Sequence, residues 1–209
     1  MSLPRPGKII GVGRNYREHA AELGHAVPTR PLLFLKPPSA VIGDGVAIVL
    51  PPESSRVDFE AEIGVVIGTR ARRVSEQAAS DAIAGLTCVN DVTARDLQRS
   101  DEQWARAKGF DSFCPVGPRV VAVERRRWDD LEVVCRVNGA ERQRGRVRDM
   151  IFSIPALVAY VSGVMTLEAG DLIATGTPAG VGPLHAGDVV EVEIPGVGLL
   201  RNPVIAEVR

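Results

Sequence analysis

The densest chemistry in the sequence lies in Asp58-Phe59-Glu60-Ala61-Glu62-Ile63-Gly64-Val65-Val66-Ile67. Its second half has the β-branched, unbroken apolar character of a buried strand. If that strand extends back through Glu60, the two-residue period puts Glu60 and Glu62 on one face, with Ala61 and Ile63 on the other. Two carboxylates leading into an apolar strand repel each other and lose hydration, so something positive must compensate. A hard divalent cation such as Mg²⁺ or Mn²⁺, held by carboxylate and water oxygens, meets that need. Asp91 offers a third acid, at the end of the apolar run Leu86-Thr87-Cys88-Val89-Asn90 and before a polar, helix-like stretch from Val92 to Gln98. A plainer arrangement also fits, with Glu60 and Glu62 on the solvent face of an edge strand and Asp91 capping a helix. Spacing alone does not separate the two.

His19 and Glu22 are three apart on a short helix expected from Tyr16 to Leu23 and stopped by Gly24, so they project to the same side. A carboxylate there can orient an imidazole that takes a proton from water. The alternative is a surface histidine with an incidental partner. His25 and His185 sit in glycine-flanked loops and read as surface residues. Cys88, Cys114 and Cys135 are an odd number with no close pair, which points to neither a disulfide framework nor a thiolate zinc site. A reducing cytoplasm is the corresponding expectation. Cys114 is the best placed of the three as a nucleophile, but a buried structural thiol is the expected reading.

The elements that must position these groups are mostly strands. Val41-Ile42, Ala47 to Leu50, Val65 to Ile67, Val189 to Ile194 and Leu199-Leu200 are β-rich runs bounded by Gly or Pro. Leu131 to Val137 followed by Asn138-Gly139 predicts a strand entering a type I′ hairpin turn. Ser75 can cap a helix running to about Ala84 and ending at Gly85, and Ser153 with Pro155 opens another whose apolar stripe is Leu157, Val158, Val161 and Val164. Strands outnumber helices and lie on both sides of them. That pattern predicts a mainly β fold with short helices (α+β) rather than a βαβ parallel sheet.

At 209 residues, 45% of them hydrophobic, one domain over residues 1–209 is the expectation. A formal charge of -1 gives no reason to expect nucleic acid or an anionic membrane as a partner. The basic runs Arg70–Arg73 and Arg125–Arg127 each sit beside a turn and read as solvated faces. Met1 to Gly13 lacks the pattern of a signal peptide, and no apolar stretch reaches the ~18 residues of a membrane span.

A longer set of motifs identifies a relationship. Gly11-Val12-Gly13-Arg14-Asn15-Tyr16-Arg17-Glu18-His19-Ala20-Ala21-Glu22, Leu33-Phe34-Leu35-Lys36-Pro37, the E-x-E segment and Asn90-Asp91-Val92-Thr93-Ala94-Arg95-Asp96-Leu97-Gln98 occur in order. They are followed by Ala107-Lys108-Gly109-Phe110-Asp111, Cys114-Pro115, Met150 to Pro155 and Thr175 to Gly182. From Lys8 to about Val204 the chain resembles the fumarylacetoacetate hydrolase family, in its branch of acylpyruvate hydrolases and oxaloacetate decarboxylases.

The resemblance implies a mixed β-roll, one Mg²⁺ or Mn²⁺ on Glu60, Glu62 and Asp91, and a homodimer. It also implies that the chain begins at the catalytic module, without the extra N-terminal domain of larger relatives. His19 and Glu22 become the water-activating pair on a segment that closes over substrate, and Lys108 the cation facing a substrate carboxylate or nascent enolate. Gln98 and Thr177 become orienting hydrogen-bond partners, while Arg14 and Tyr16 shape the lid or touch substrate. The implied activity is cleavage of a C–C bond in acylpyruvate-type 2-oxo acids, with decarboxylation of oxaloacetate beside it. The alternative is isomerisation, decarboxylation or hydration of 2-hydroxyhepta-2,4-diene-1,7-dioate or related oxo-dienoates. The glycines between Gly176 and Gly182 do not indicate a dinucleotide, because no βαβ unit surrounds them.

Overall fold

The structure, a computed structural model, describes residues 6–22, 24 and 26–208. Strands β1 (Ile9–Gly13), β2 (Leu32–Lys36), β3 (Val41–Ile42) and β4 (Ile48–Leu50) come first, with helix α1 (Arg17–Glu22) after β1. β5 (Val57–Phe59) and β6 (Ala61–Ile67) lead to α2 (Glu76–Ala79), then β7 (Ile83–Asn90) and β8 (Thr93–Ala94). Helices α3 (Arg95–Ser100) and α4 (Ala105–Gly109) precede β9 (Cys114–Val121), β10 (Glu132–Val137) and β11 (Ala140–Arg146). The chain ends with α5 (Ile154–Val164), β12 (Leu172–Ala174), β13 (Gly182–Pro183), β14 (Val189–Ile194) and β15 (Gly198–Ala206).

Seven strands form one sheet in the order β2-β1-β12-β6-β7-β9-β3, and five form another in the order β11-β10-β14-β15-β4. A small third sheet joins β13, β5 and β8. Parallel pairs (β1 with β12, β3 with β9, β4 with β15) sit among antiparallel ones. The large sheet has to roll. Its outer strands are consecutive in sequence, linked only by the 3₁₀ turn Pro38–Ala40. Five residue steps from Lys36 to Val41 reach at most about 18 Å, whereas a flat seven-stranded sheet separates its edges by about 29 Å. This is the mixed β-roll expected from sequence.

Burial follows from the pattern. Every residue of β6 is buried, as its unbroken apolar run requires of a strand covered on both faces. Ser153 Oγ caps α5 by accepting the Ala156 N–H, and Ile154, Leu157, Val158 and Val161 face the core. Asn138 (φ 53°) and Gly139 (φ 77°) make the positive-φ corner expected between β10 and β11. Both arginine runs are exposed at every arginine, while Ala71 inside the first is buried.

Three local expectations need correction. The helix opened by Ser75 stops at Ala79, tightens to 3₁₀ over Ser80–Ala82 and gives way to β7 at Ile83. Gly85 is therefore no helix cap; it sits mid-strand, where a Cβ would lie 2.6 Å from Val121 O, so its bareness lets β7 and β9 approach. The stretch after Asp91 first makes β8 against β5, and the helix starts only at Arg95. The first helix begins at Arg17, with Tyr16 bridged to Met150 and its carbonyl accepting the Ala20 N–H. Leu23, its expected end, lies outside the described residues, as does His25.

Candidate active site

The registers Gly11 to Ala174, Ala174 to Gly64 and Gly64 to Thr87 bring four chain segments out at one end of the large sheet. These are Gly13-Arg14 after β1, Glu60 before β6, Asp91 after β7 and Thr175–Thr177 after β12. The strand does not run unbroken back through Glu60, as the period-two reading supposed. Glu60 interrupts it: its N–H donates to Asn90 Oδ1 (2.9 Å) and its carbonyl accepts from Asp91 N–H (2.8 Å). Glu62 stays in β6. The two acids still converge, because the interruption is anchored to the strand end that carries Asp91.

One oxygen each of Glu60, Glu62 and Asp91 lies within 4.8 Å of the others, and all three residues are buried. They are not solvent-facing edge groups. Arg95 Nη2 donates to Glu60 Oε1 (2.6 Å) and Lys108 Nζ to Glu60 Oε2 (2.8 Å). Asp91 accepts from Lys36 Nζ (2.6 Å) and Lys108 Nζ (2.5 Å). Asp58, also buried, accepts from Arg56 and Arg95. Glu62 receives only the Gly176 N–H (2.8 Å) and no cation among the described residues. Burial, Asp91 and Glu60 together push its carboxyl well above the usual range. Burial alone would raise Glu60 too, but Lys108 and Arg95 hold it well below that range. Three converging carboxylates, one without an ion-pair partner among the described residues, are a donor set that fits a hard divalent ion.

A cleft of about 500 Å³ opens over these acids. Of the residues singled out from sequence, Arg14, His19, Glu22, Gln98, Lys108 and Thr177 line it with the three acids. His19 is 4% exposed, and its Nδ1 lies 3.2 Å from Glu22 Oε2. Glu22 in turn accepts the Gly180 N–H at 3.1 and 3.3 Å, which ties α1 to the loop after β12. Gln98 Oε1 accepts from Arg95 Nη1 (2.6 Å), so its amide NH₂ remains the free donor.

Thr177 and Tyr16 sit differently from expectation. The Thr177 hydroxyl donates to Ala61 O (2.9 Å) and accepts from Gln143 Nε2 (2.8 Å). Its proton is committed to the backbone of β6, so the side chain fixes the strand. Tyr16 is buried away from the cleft lining, and its hydroxyl has no partner among the described residues. Burial, with Glu62 and Asp149 nearby, raises that phenol. Cys114 is fully buried and pushed up to about 12 by burial, an inert thiol as expected. His185 is 74% exposed at its side chain, also as expected.

Sequence reasoning passed over Lys36, Arg95, Asp58 and Gln143. Lys36, Arg95 and Asp58 lay inside quoted segments, and acids leading into an apolar strand were a signal that buried cations must exist to balance them. The cleft's aromatic wall, Phe34 edge-on to Trp104 with centroids 5.5 Å apart, also went unread. Lys108 Nζ sits 4.8 Å over the Phe34 ring.

A rolled β-sheet presenting a buried three-carboxylate cluster beneath a polar cleft defines an enzyme class that works on small polar substrates. Residues 8–205 match the fumarylacetoacetate (FAA) hydrolase C-terminal family, and the chain belongs to it. The structure of 5-carboxymethyl-2-hydroxymuconate delta-isomerase from Mycobacterium smegmatis superposes with a TM-score of 0.92 at 45% identity, covering 99% of this chain and 82% of that one. The mitochondrial oxaloacetate decarboxylase of Dictyostelium discoideum is 42% identical over 91% of this chain and 89% of its own length. The oxaloacetate tautomerase YisK of Bacillus subtilis is 44% identical over 97% and 71%. No helix among the described residues is long and apolar enough to cross a membrane.

Proposed function

We propose that the chain is a divalent-metal-dependent enzyme of small 2-oxo acids that cleaves the C–C bond of acylpyruvates. The observation that carries this reading is the His19–Glu22 pair lining the same cleft as the three-acid cluster. Glu60, Glu62 and Asp91 would hold Mg²⁺ or Mn²⁺, which when bound supplies Lewis acidity toward the substrate's keto oxygen. Residues 1–209 work as one catalytic unit in this reading, assembled as a homodimer in the cytoplasm.

The protein groups then divide the work. Glu22, held by the Gly180 N–H, orients His19 through Nδ1 and leaves Nε2 to take a proton from water. The hydroxide so formed adds to the acyl carbon. The C–C bond breaks with its electron pair passing to carbon 3 of the departing pyruvate enolate, and protonated His19 returns the proton there. Lys108, braced by Glu60 and Asp91, keeps positive charge beside the site as that enolate develops. The free NH₂ of Gln98 donates to a substrate oxygen.

A second reading keeps the site and drops the hydrolytic water, so that His19 only moves a proton between carbon and water. The names carried by the decarboxylase, tautomerase and isomerase relatives favour it. Steady-state assays of wild type and His19→Asn on acetylpyruvate and oxaloacetate, with products identified, separate the readings. Hydrolysis of acetylpyruvate that falls about a hundredfold or more in the variant supports the first. Wild type that tautomerises or decarboxylates oxaloacetate but leaves acetylpyruvate intact supports the second. Unchanged rates in the variant remove the pair from both.

A further inference from the structure

Two of the cleft's cations have no work assigned. Arg95 and Lys108 are committed to the buried acids. Arg14 and Arg99 line the same cleft, yet neither has a carboxylate or hydrogen-bond partner among the described residues. Arg99 is exposed at the rim of α3 and Arg14 is half-buried. An arginine without a partner at an exposed surface is ordinary; one at Arg14 is not.

Arg14 has φ 61°, in the left-handed region, which is unfavourable for a residue with a side chain. The conformation persists because the next residue is locked. Asn15 Nδ2 donates to Phe152 O (3.1 Å) and Thr175 O (2.8 Å), while its Oδ1 accepts the Phe152 N–H (2.8 Å). Burial also lowers the Arg14 pKa, the mark of a guanidinium losing water without gaining a counter-ion. The backbone is thus held in an unfavourable conformation that leaves an unpaired cation on the cleft wall. Val12, Phe34 and Trp104 give the same cleft an apolar side.

We infer that Arg14 and Arg99 form a subsite for a second, distal carboxylate, so that the cleft selects dicarboxylic 2-oxo acids over analogues whose far end is a methyl group. The guanidinium fork matches a carboxylate in charge and shape, and the aromatic wall accommodates the carbon chain between the two acidic ends. This inference rests on the reading of the three-acid cluster as the binding place of the 2-oxo acid head.

Succinylpyruvate and butyrylpyruvate test it, since they share length and scissile bond and differ only in a terminal carboxylate. Both are assayed on the Mg²⁺-loaded full chain, as wild type, Arg99→Gln, Arg14→Gln and the conservative Arg14→Lys and Arg99→Lys. The expected result is a KM for succinylpyruvate raised about tenfold or more by each glutamine, with butyrylpyruvate shifted less than about twofold and partial recovery by lysine. Equal shifts for both substrates, or none for succinylpyruvate, overturn the subsite. Arg99 is exposed, so its variant keeps the test valid even if Arg14→Gln fails to fold.

If wild type turns over neither compound, the proposed hydrolysis falls, and calorimetric binding of 2-oxoglutarate against 2-oxovalerate decides the subsite separately. A loss in Arg99→Gln confined to 2-oxoglutarate upholds it. Equal affinity of wild type for the two ligands, or affinity unchanged in the variant, overturns it.

Discussion

Glu62→Gln should separate the electrostatics of the acid cluster from its proposed role as an ion ligand. Glu62 is the member of the cluster that no cation touches, so the charge it carries meets Asp91 and Glu60 with only the field of Lys108 and the Gly176 N–H in return. Ligand oxygens within 4.8 Å of one another repel by about 3.5 kcal/mol per pair at an effective dielectric of about 20. Uptake of a proton relieves part of that, and the remainder weighs against the folded state. Glutamine has the same shape, still accepts the Gly176 N–H and removes the repulsion. The chelator-treated variant should therefore melt at or above the temperature of chelator-treated wild type. Metal should act in the opposite sense. Free Mg²⁺ or Mn²⁺ at a hundred times Kd stabilises wild type by about 2.7 kcal/mol, or roughly 5–10 °C in Tm for a chain of this size. The variant, lacking one of three anionic ligands, should lose most of that rise. Differential scanning calorimetry with EDTA and then with each ion reads both halves. A chelated variant several degrees less stable than wild type, or one that keeps the full metal-induced rise, refutes the reasoning.

Gln143→Leu strips the Ala61 N–H and Pro178 O of their partner and frees Thr177, which should cost about 2–4 kcal/mol in urea unfolding; an unmoved midpoint would show that β6 does not depend on it. Gly180→Ala places a Cβ 2.2 Å from Arg142 O at φ +98°, so the loop must shift and Glu22 loses its N–H. Its kcat should fall about tenfold through a less well-oriented His19, and full activity would release Gly180 from that role. Burial alone would raise the Asp96 carboxyl, but Ser54 Oγ with Ser55 N–H and Oγ donate to it and hold it at about 2, against 3.8 ordinarily. A depressed folded pKa contributes stability that is full above the ordinary value and lost as pH falls toward 2, here about 1 kcal/mol after solvent screening. Asp96→Asn should therefore flatten stability between about pH 4 and 2, and an unaltered acid limb in urea titrations across that range would count against it.

The parts of the molecule legible in the sequence are those whose signal is local. The Ser153 cap and the Asn138-Gly139 corner each depend on residues within a few positions of one another, and each appears where expected, while the E-x-E pair converges without the continuous strand its spacing supposed. The misplaced boundaries all involve strands that pair at long range. Ile83 and Gly85 join a strand because β6 and β9 need a partner there, and Thr93-Ala94 because β5 does. Helical spacing cannot report a partner 20 residues away.

Two of the site's cations, Lys36 and Arg95, were hidden for a related reason, whereas Lys108 was picked out only through the family resemblance. Lys36, Arg95 and Lys108 come from three separate elements, and in one dimension each is a polar residue among 25 lysines and arginines. What distinguishes them is that Asp58, Glu60 and Asp91 are buried and cannot remain ionised without them. A segment that forces carboxylates into an apolar strand therefore predicts buried cations elsewhere in the chain. The lysines and arginines embedded in apolar or turn-flanked runs, such as Leu33-Phe34-Leu35-Lys36-Pro37, are the ones placed to supply it. Glu62 is the remainder of that balance. An acid that no protein cation touches is where the proposed ion would restore the balance, and it marks the candidate site more sharply than the paired residues around it.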